Sequence, residues 1–266
     1  MNMLTLESIS KTFNPGSVNE KVVLTNFSLA LEKGEFVTII GGNGAGKSTL
    51  FNAIAGNFYV DSGRILLAGE DLTFLKDYQR AVNIGRLFQD PLKGTAPNMT
   101  IEENLSLAYL RSTRRGLSFG ITQKDRAFFR ERLSLLGLGL EDRMKSKVGL
   151  LSGGQRQALT LLMATLVTPK LLLLDEHTAA LDPATAEKVL DVTTRIVRDN
   201  NLTCMMITHN ISAALALGTR TIMMDNGRTV LDLTGAQRSE MTVPRLLELF
   251  RQKSNKDLDN DRMLLG

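Results

Sequence analysis

The sequence predicts an α/β fold in which short buried strands lead into loops and helices. Residues 36–40 form an apolar, β-branched run that passes through a glycine-rich segment into a helical pattern over residues 47–55. Residues 171–174 are four leucines followed by two acidic residues, as expected for a second buried strand. The pattern from residue 100 to about residue 136 is helical, which indicates helices inserted into the α/β core.

The other elements follow from alternation, apolar runs and turn residues. Strand patterns occur at residues 5–10, 22–31, 63–68, 84–89 and 203–208. Asn226-Gly227, between residues 221–225 and 228–233, predicts a β-hairpin. Helical patterns cover residues 152–167, 183–199 and 243–250.

These elements predict one domain over residues 1–266. A helical subdomain is inserted at residues 90–150, and a C-terminal helix with a polar tail occupies residues 235–266. The segment 111–120 is basic and contains glycine, so we interpret it as a loop between two helices of the insertion. Residues 254–262 are polar and charged.

The composition excludes some functions and disfavours others. Apolar residues make up 43% of the chain, charged residues 23%, and the formal net charge is +4. Without a basic block interleaved with aromatic residues, this small charge disfavours nucleic acid as the main partner. The single cysteine, Cys204, excludes a disulfide within the chain and is expected to be buried on a strand.

No membrane-spanning segment is predicted. The N-terminus lacks the pattern of a signal peptide, and the most apolar stretch, residues 159–167, is much shorter than the ~20 residues that cross a bilayer. If the protein serves a membrane process, we expect another protein to supply the membrane span.

Residues 41–48 match the phosphate-loop pattern G-x-x-x-x-G-K-[ST], after a strand and before a helix. Phosphate oxygens need several backbone N–H donors at close range, and glycines let them approach. Lys47 would bring a positive charge to the β- and γ-phosphates, and Ser48 would offer a hydroxyl to Mg²⁺. The residues predicted to contact the nucleotide here are Gly41, Asn43, Gly44, Ala45, Gly46, Lys47, Ser48 and Thr49.

Two carboxylates, Asp175 and Glu176, follow the leucine run. The carboxyl edge of an open α/β sheet is where ligands bind, so this position suits a catalytic site. Asp175 would bind Mg²⁺ through water, and Glu176 would polarise an attacking water. Acidic residues at strand ends also cap turns, so the pair by itself leaves both interpretations open.

The segment Leu151-Ser-Gly-Gly-Gln-Arg-Gln157 resembles the signature motif of ABC ATPases. Ser152 and the amides of Gly153 and Gly154 open a helix and so form a second anion site, which Gln155 adjoins. A serine N-cap accounts for Ser152 but not for all seven residues. Taken with the phosphate loop, the resemblance covers nearly the whole chain. It implies a P-loop ATPase core of ABC type, with an N-terminal antiparallel β subdomain and an inserted helical subdomain.

The same resemblance implies roles for residues that spacing alone does not single out. Phe13 matches the aromatic residue that stacks on adenine, although tyrosine is commoner there, and Gln89 matches the glutamine that reaches Mg²⁺ and water. Asp182 matches the segment that contacts the dimer partner, and His209 matches the histidine that senses the γ-phosphate. The implied catalytic residues are Glu176, His209, Gln89 and Lys47, and those near the metal are Ser48, Gln89 and Asp175.

The family also implies the cofactors ATP and Mg²⁺ and a set of partners. Each ATP would lie between the phosphate loop of one copy and the signature segment of a second, so we expect a homodimer. Transmembrane permease subunits and an extracytoplasmic substrate-binding protein complete the expected assembly, at the cytoplasmic face of the membrane. The segment 88–104 is similar to bacterial ATPases that serve uptake of amino acids or related solutes.

One position departs from the family, and alternative functions remain. His177 stands where the family usually has proline after the Asp-Glu pair, and we expect no catalytic role for it. The alternatives are the motor of an exporter and a soluble ABC ATPase acting on ribosomes or DNA. A small-molecule kinase would lack the signature segment, and a non-catalytic switch would be expected to lack Glu176 or His209.

Overall fold

Two β-sheets and the helices around them make up the part of the chain that the computed structural model describes, residues 2–111 and 120–254. The first elements are β1 (Asn2–Phe13), β2 (Lys21–Glu32), β3 (Phe36–Gly41), α1 (Lys47–Ala55), β4 (Ser62–Leu67), β5 (Glu70–Asp71), α2 (Asp77–Arg80) and β6 (Ile84–Leu87). Next come α3 (Ile101–Leu110), α4 (Gln123–Ser134) and α5 (Gly153–Thr165). The last are β7 (Leu171–Asp175), α6 (Pro183–Asp199), β8 (Cys204–Ile207), α7 (Ile211–Ala216), β9 (Arg220–Asp225), β10 (Arg228–Thr234), α8 (Gly235–Ser239) and α9 (Val243–Ser254).

The larger sheet positions the predicted site. Its strand order is β10-β9-β3-β8-β7-β6, and all neighbours pair in parallel except β10 with β9. The strands β3 and β8 are buried throughout, as apolar runs in a parallel sheet require. Because the strands are parallel, the segments that follow β3, β6, β7 and β8 emerge at one edge of the sheet.

The smaller sheet is antiparallel, with strand order β2-β1-β4-β5. Its inner face contributes Leu4, Leu6 and Ile65 to the apolar core that also contains Leu50 and Ile54 of α1. The helix α1, which carries Lys47, is therefore packed between the two sheets.

A buried arginine fixes the far end of α1. The side chain of Arg80 is 1% exposed and donates to the carbonyl oxygens of Ala53 and Ile54, at 2.7 and 3.0 Å. These carbonyls belong to the last turn of α1, where backbone acceptors lack partners within the helix. Arg80 therefore satisfies them and anchors the helix on α2.

Helices α3 and α4 lie within the predicted insertion, residues 90–150, and each begins at a capping box. Thr100 pairs with Glu103 at the start of α3, and Thr122 pairs with Asp125 at the start of α4. Their buried apolar residues share one apolar core with α5 and with Leu172 and Leu174 of β7. The predicted loop 111–120 and tail 254–262 lie, apart from Arg111, Gly120 and Ser254, outside the described residues.

The C-terminal region contains two helices rather than one. Leu246 and Phe250 of α9 pack with Ile40 and Ile211 in a third apolar cluster, while α8 is a short turn before it. The prediction for Cys204 is confirmed, because its side chain is buried on β8. None of the helices described is long and apolar enough to cross a membrane.

His177 is part of the core. Its side chain is 2% exposed, and its Nε2 lies 3.1 Å from the Thr193 hydroxyl on α6. The hydroxyl of Thr193 donates to the carbonyl oxygen of Val189, at 2.8 Å, so it accepts from the Nε2–H of a neutral His177. Burial lowers the pKa of His177 to about 4. The histidine thus joins the loop after β7 to α6 in place of the family's proline.

This burial predicts a pH-dependent stability. The unfolded histidine takes up a proton below its ordinary pKa of about 6.5, but the folded one resists protonation until about pH 4. The contribution of His177 to the free energy of unfolding is therefore present above about pH 6.5 and is lost as the pH falls from about 6.5 to about 4. Between pH 7 and pH 5 we expect a loss of about 2 kcal/mol from this group in urea unfolding followed by circular dichroism.

The variant His177→Gln is the matched control, because an amide can keep the bond to Thr193 without titrating. Its unfolding free energy should lose about 2 kcal/mol less than that of the wild type between these pH values. Equal losses in both proteins would show that His177 is not the group responsible.

Candidate nucleotide site

The phosphate loop has a backbone that only glycine can adopt at two positions. Gly41 has φ 151°, and a Cβ there would lie 2.2 Å from the carbonyl oxygen of Met224. Gly46 has φ 98°, and its Cβ would approach the carbonyl oxygen of Val23 to 2.9 Å. The loop is therefore held tightly against β9 and β2, which fixes the direction of its backbone amides.

Lys47 lies inside this loop, with its side chain 5% exposed. Its ammonium donates to the carbonyl oxygens of Gly41 and Gly42, at 2.7 and 3.1 Å. Burial lowers the pKa of Lys47, and the negative charges of Glu176 and Asp175 oppose that shift. The loop thus presents a cation next to the acidic pair, at the N-terminus of α1.

Asp175 and Ser48 form the predicted metal-binding pair. The Ser48 hydroxyl lies 3.4 Å from Oδ1 of Asp175. Burial raises the pKa of Asp175, the charge of Arg86 opposes this, and the charge of Glu176 adds to it. No cluster of three or more histidine, cysteine or acidic side chains able to hold a metal occurs among the described residues. A hydroxyl and one carboxylate fit Mg²⁺ that shares its coordination with phosphates and water.

Glu176 and His209 are in direct contact. Nε2 of His209 lies 2.6 Å from Oε1 of Glu176. Glu176 has φ 48°, and its amide donates to the carbonyl oxygen of Ile207, at 3.0 Å. Burial by itself would raise the pKa of Glu176, but the hydrogen bond and charge of His209, with the charge of Lys47, hold the pKa below its usual value. Glu176 is therefore an ionised, oriented carboxylate at neutral pH.

A cavity of about 930 Å³ joins these side chains to other predicted residues. Asn43 of the phosphate loop and Gln89, which follows β6, line it together with Glu176 and His209. The segment after the acidic pair, including Leu181, forms another wall. Four segments that are far apart in the sequence thus meet at the carboxyl edge of the larger sheet.

The signature residues form a separate group. Ser152 caps α5 in a capping box with Gln155, and Gly154 packs so closely on Thr185 that a Cβ would lie 2.2 Å from its methyl group. Ser152, Gly154 and Gln155 line a second cavity of about 530 Å³. Asp182 caps α6 by accepting from the Thr185 amide, at 3.1 Å. Within one chain, Ser152, Gly154 and Gln155 therefore line a different cavity from Asn43 of the phosphate loop.

Phe13 lies at the end of β1 and packs edge-on against Phe58, with ring centroids 5.2 Å apart. The ammonium of Lys11 is 5.6 Å from the Phe13 ring and 2.6 Å from Asp61. Phe13 thus belongs to an aromatic pair and does not line the cavity around Glu176.

Arg86 is a residue of this site that is not among the predicted ones. Its guanidinium Nη2 lies 3.6 Å from Oδ2 of Asp175. The signal in the sequence is a charged residue between Gly85 and Leu87, inside an otherwise apolar strand pattern. Periodicity alone cannot say which face of the strand this residue occupies relative to β7.

Comparisons with known proteins identify the family and the fold. A family model described as ABC transporter matches residues 24–179, more than half of the chain. The tyrosine transport ATP-binding protein of Clostridioides difficile is 44% identical over 248 residues, covering 93% of this chain and 98% of that protein. The thiamine import ATP-binding protein ThiQ of Salmonella paratyphi A is 37% identical over 204 residues, covering 76% and 81%.

A solved structure shows the same fold. The dimeric post-hydrolysis state of the ATP-binding cassette MJ0796, bound to ADP and Pi, superposes with a TM-score of 0.75 at 29% identity and covers 87% of this chain and 98% of that one. The predicted ABC-type α/β fold is therefore confirmed. The chain belongs to the ABC transporter family, as one of its ATP-binding proteins.

Proposed function

We propose that this protein binds and hydrolyses ATP with Mg²⁺ and drives solute transport through separate membrane subunits. The observation that carries the proposal is the contact of 2.6 Å between His209 and Glu176, beside the phosphate loop. An ionised carboxylate held by a histidine at the rim of a phosphate site can orient and activate water. A protein that only binds nucleotide has no need of this pair.

The chemistry of the site consists mainly of positioning and electrostatics. Lys47 and the loop amides hold the phosphates and stabilise the charge on the transferred group. His209 holds one oxygen of Glu176, which leaves the other to accept a hydrogen bond from the attacking water. Ser48, Asp175 and Gln89 are the residues that would hold Mg²⁺, which neutralises phosphate charge when bound.

Each active site is proposed to need two copies of the chain. The signature residues line a different cavity from Glu176 and His209, so one copy does not enclose a nucleotide between them. A symmetric pair, in which Ser152 of one copy faces the phosphate loop of the other, completes both sites at once. The dimeric cassette bound to ADP and Pi supports this arrangement.

The transport half of the proposal rests on relatives. Two relatives, which match 93% and 76% of this chain, are named for tyrosine transport and thiamine import. We therefore infer a peripheral motor at the cytoplasmic face of the membrane, bound to permease subunits and served by an extracytoplasmic binding protein. Import of an amino acid or a similar small solute fits the high identity to the tyrosine transport protein.

The variant Glu176→Gln tests the catalytic assignment. The amide keeps the size of the side chain but cannot act as a base, so we expect hydrolysis to fall by about 100-fold or more while ATP binding persists. ATP-bound dimers should accumulate, which size-exclusion chromatography with ATP would detect.

The control is Glu187→Gln, because Glu187 lines the same cavity but is exposed and lies on α6. Its hydrolysis should stay near that of the wild type. Near-normal turnover by Glu176→Gln would remove Glu176 from the mechanism.

Isolation from cells tests the transport assignment. A tagged protein should be found with the membrane fraction and should co-purify in mild detergent with a hydrophobic multispan protein. Alkaline carbonate should release it, because its own attachment is peripheral. Co-sedimentation with ribosomes, or release by nuclease, would instead support the soluble ABC ATPase.

A further inference from the structure

Arg86 occupies one oxygen of the predicted metal-binding carboxylate. Oδ1 of Asp175 faces the Ser48 hydroxyl, at 3.4 Å, and Oδ2 faces the Arg86 guanidinium, at 3.6 Å. The two side chains of this ion pair are 12% and 13% exposed, so water and salt screen their attraction only weakly. The mechanism proposed above assigns no task to this arginine.

The guanidinium is held in place from several sides. It donates to the side-chain oxygens of Asn52, at 2.7 Å, and Asn57, at 3.3 Å. It also lies 4.6 Å from the ring centroid of Phe88, which precedes Gln89. Asn52 is four residues after Ser48 on α1, so it lies on the same helix face. Arg86 thus connects β6 and α1 to the end of β7.

Arg86 balances the charge of Asp175, while Lys47 and His209 lie beside Glu176. Lys47 and Arg86 bring two positive charges to the two carboxylates of Asp175 and Glu176. A divalent cation that approaches Asp175 without nucleotide therefore meets a carboxylate whose charge the Arg86 guanidinium already balances. Nucleotide phosphates supply the negative charge that makes a divalent cation favourable there.

We propose that Arg86 is the counter-ion of Asp175 and makes divalent-cation binding at this carboxylate depend on bound nucleotide. The inference rests on the proposed function, since it takes Asp175 as the metal-binding residue. Arg86 is a positioning residue, because it acts through Asp175. Without it, Asp175 would lose its guanidinium partner and keep the Ser48 hydroxyl, and its unbalanced charge would attract a free divalent cation.

The test measures Mn²⁺ binding to nucleotide-free protein by electron paramagnetic resonance of the free ion. Arg86→Met removes the charge but keeps an apolar stem against Phe88, and it should bind Mn²⁺ at least about tenfold more tightly than the wild type. Arg86→Lys keeps the charge and should bind as weakly as the wild type. The double variant Arg86→Met with Asp175→Asn should lose the gained binding.

Two further variants separate charge from folding. Arg86→Gln removes the charge and keeps a donor for Asn52, so it should reproduce the gain even if Arg86→Met unfolds. Arg64→Met breaks an exposed ion pair with Asp71 and should change nothing. Wild-type Mn²⁺ affinity in the folded Arg86→Met or Arg86→Gln variant would overturn the inference, and so would a gain in Arg86→Lys equal to theirs.

The same measurement with ATP separates this inference from the proposed function. Because ATP itself binds Mn²⁺ and lowers the free-ion signal, only Mn²⁺ bound beyond a control with ATP and no protein counts as bound to the protein. If the wild type binds no Mn²⁺ even with ATP, the proposed nucleotide function fails. If the wild type binds Mn²⁺ with ATP and neither charge-removing variant gains nucleotide-free binding, only the role of Arg86 fails.

Discussion

The site depends on the parallel pairing of β3, β8, β7 and β6. Register places Leu87 opposite Leu174 and Asp175 opposite Ile207, so these strands end level with one another. The segments that follow them then meet at one edge, although those after β3 and β8 are separated by more than half of the chain. The proposed catalytic site depends on this alignment, because none of the four segments has a complete site of its own.

Electrostatic interactions fix the side chains that this alignment brings together. Two partly buried carboxylates lie next to each other at the end of β7, and repulsion between them would oppose the fold if they had no partners. His209 and Lys47 stabilise the ionised form of Glu176, while Arg86 and Ser48 face Asp175. Each carboxylate thus has its own partners, which fits the different roles proposed for them. The anchors of Arg86 on α1 connect the metal-binding end to the helix behind the phosphate loop.

Motifs whose residue types suit a chemical task could be predicted from the sequence, but the packing of individual side chains could not. The phosphate loop and the acidic pair follow from residue types at short spacing, and the signature segment follows from its resemblance to the family motif. Their neighbours in the fold follow from strand order. Arg80 and Arg86 are different, because each of them has partners 26 or more residues away in the sequence and no local pattern indicates that the arginines turn inward. The burial of His177 against Thr193 also depends on how α6 packs, which periodicity does not encode.

We propose above all that ATP is enclosed between the phosphate loop of one copy and the signature segment of another. Cys204 is buried, and burial raises the pKa of its thiol, so cysteines introduced at exposed positions are the reactive ones. One copy would carry Asn43→Cys and a second, differently tagged copy Ser152→Cys, both with Glu176→Gln. If ATP is enclosed in this way, a short bismaleimide should join the two tagged copies only when ATP is present. A link that forms equally without ATP, or forms within a single chain carrying both cysteines, would contradict it.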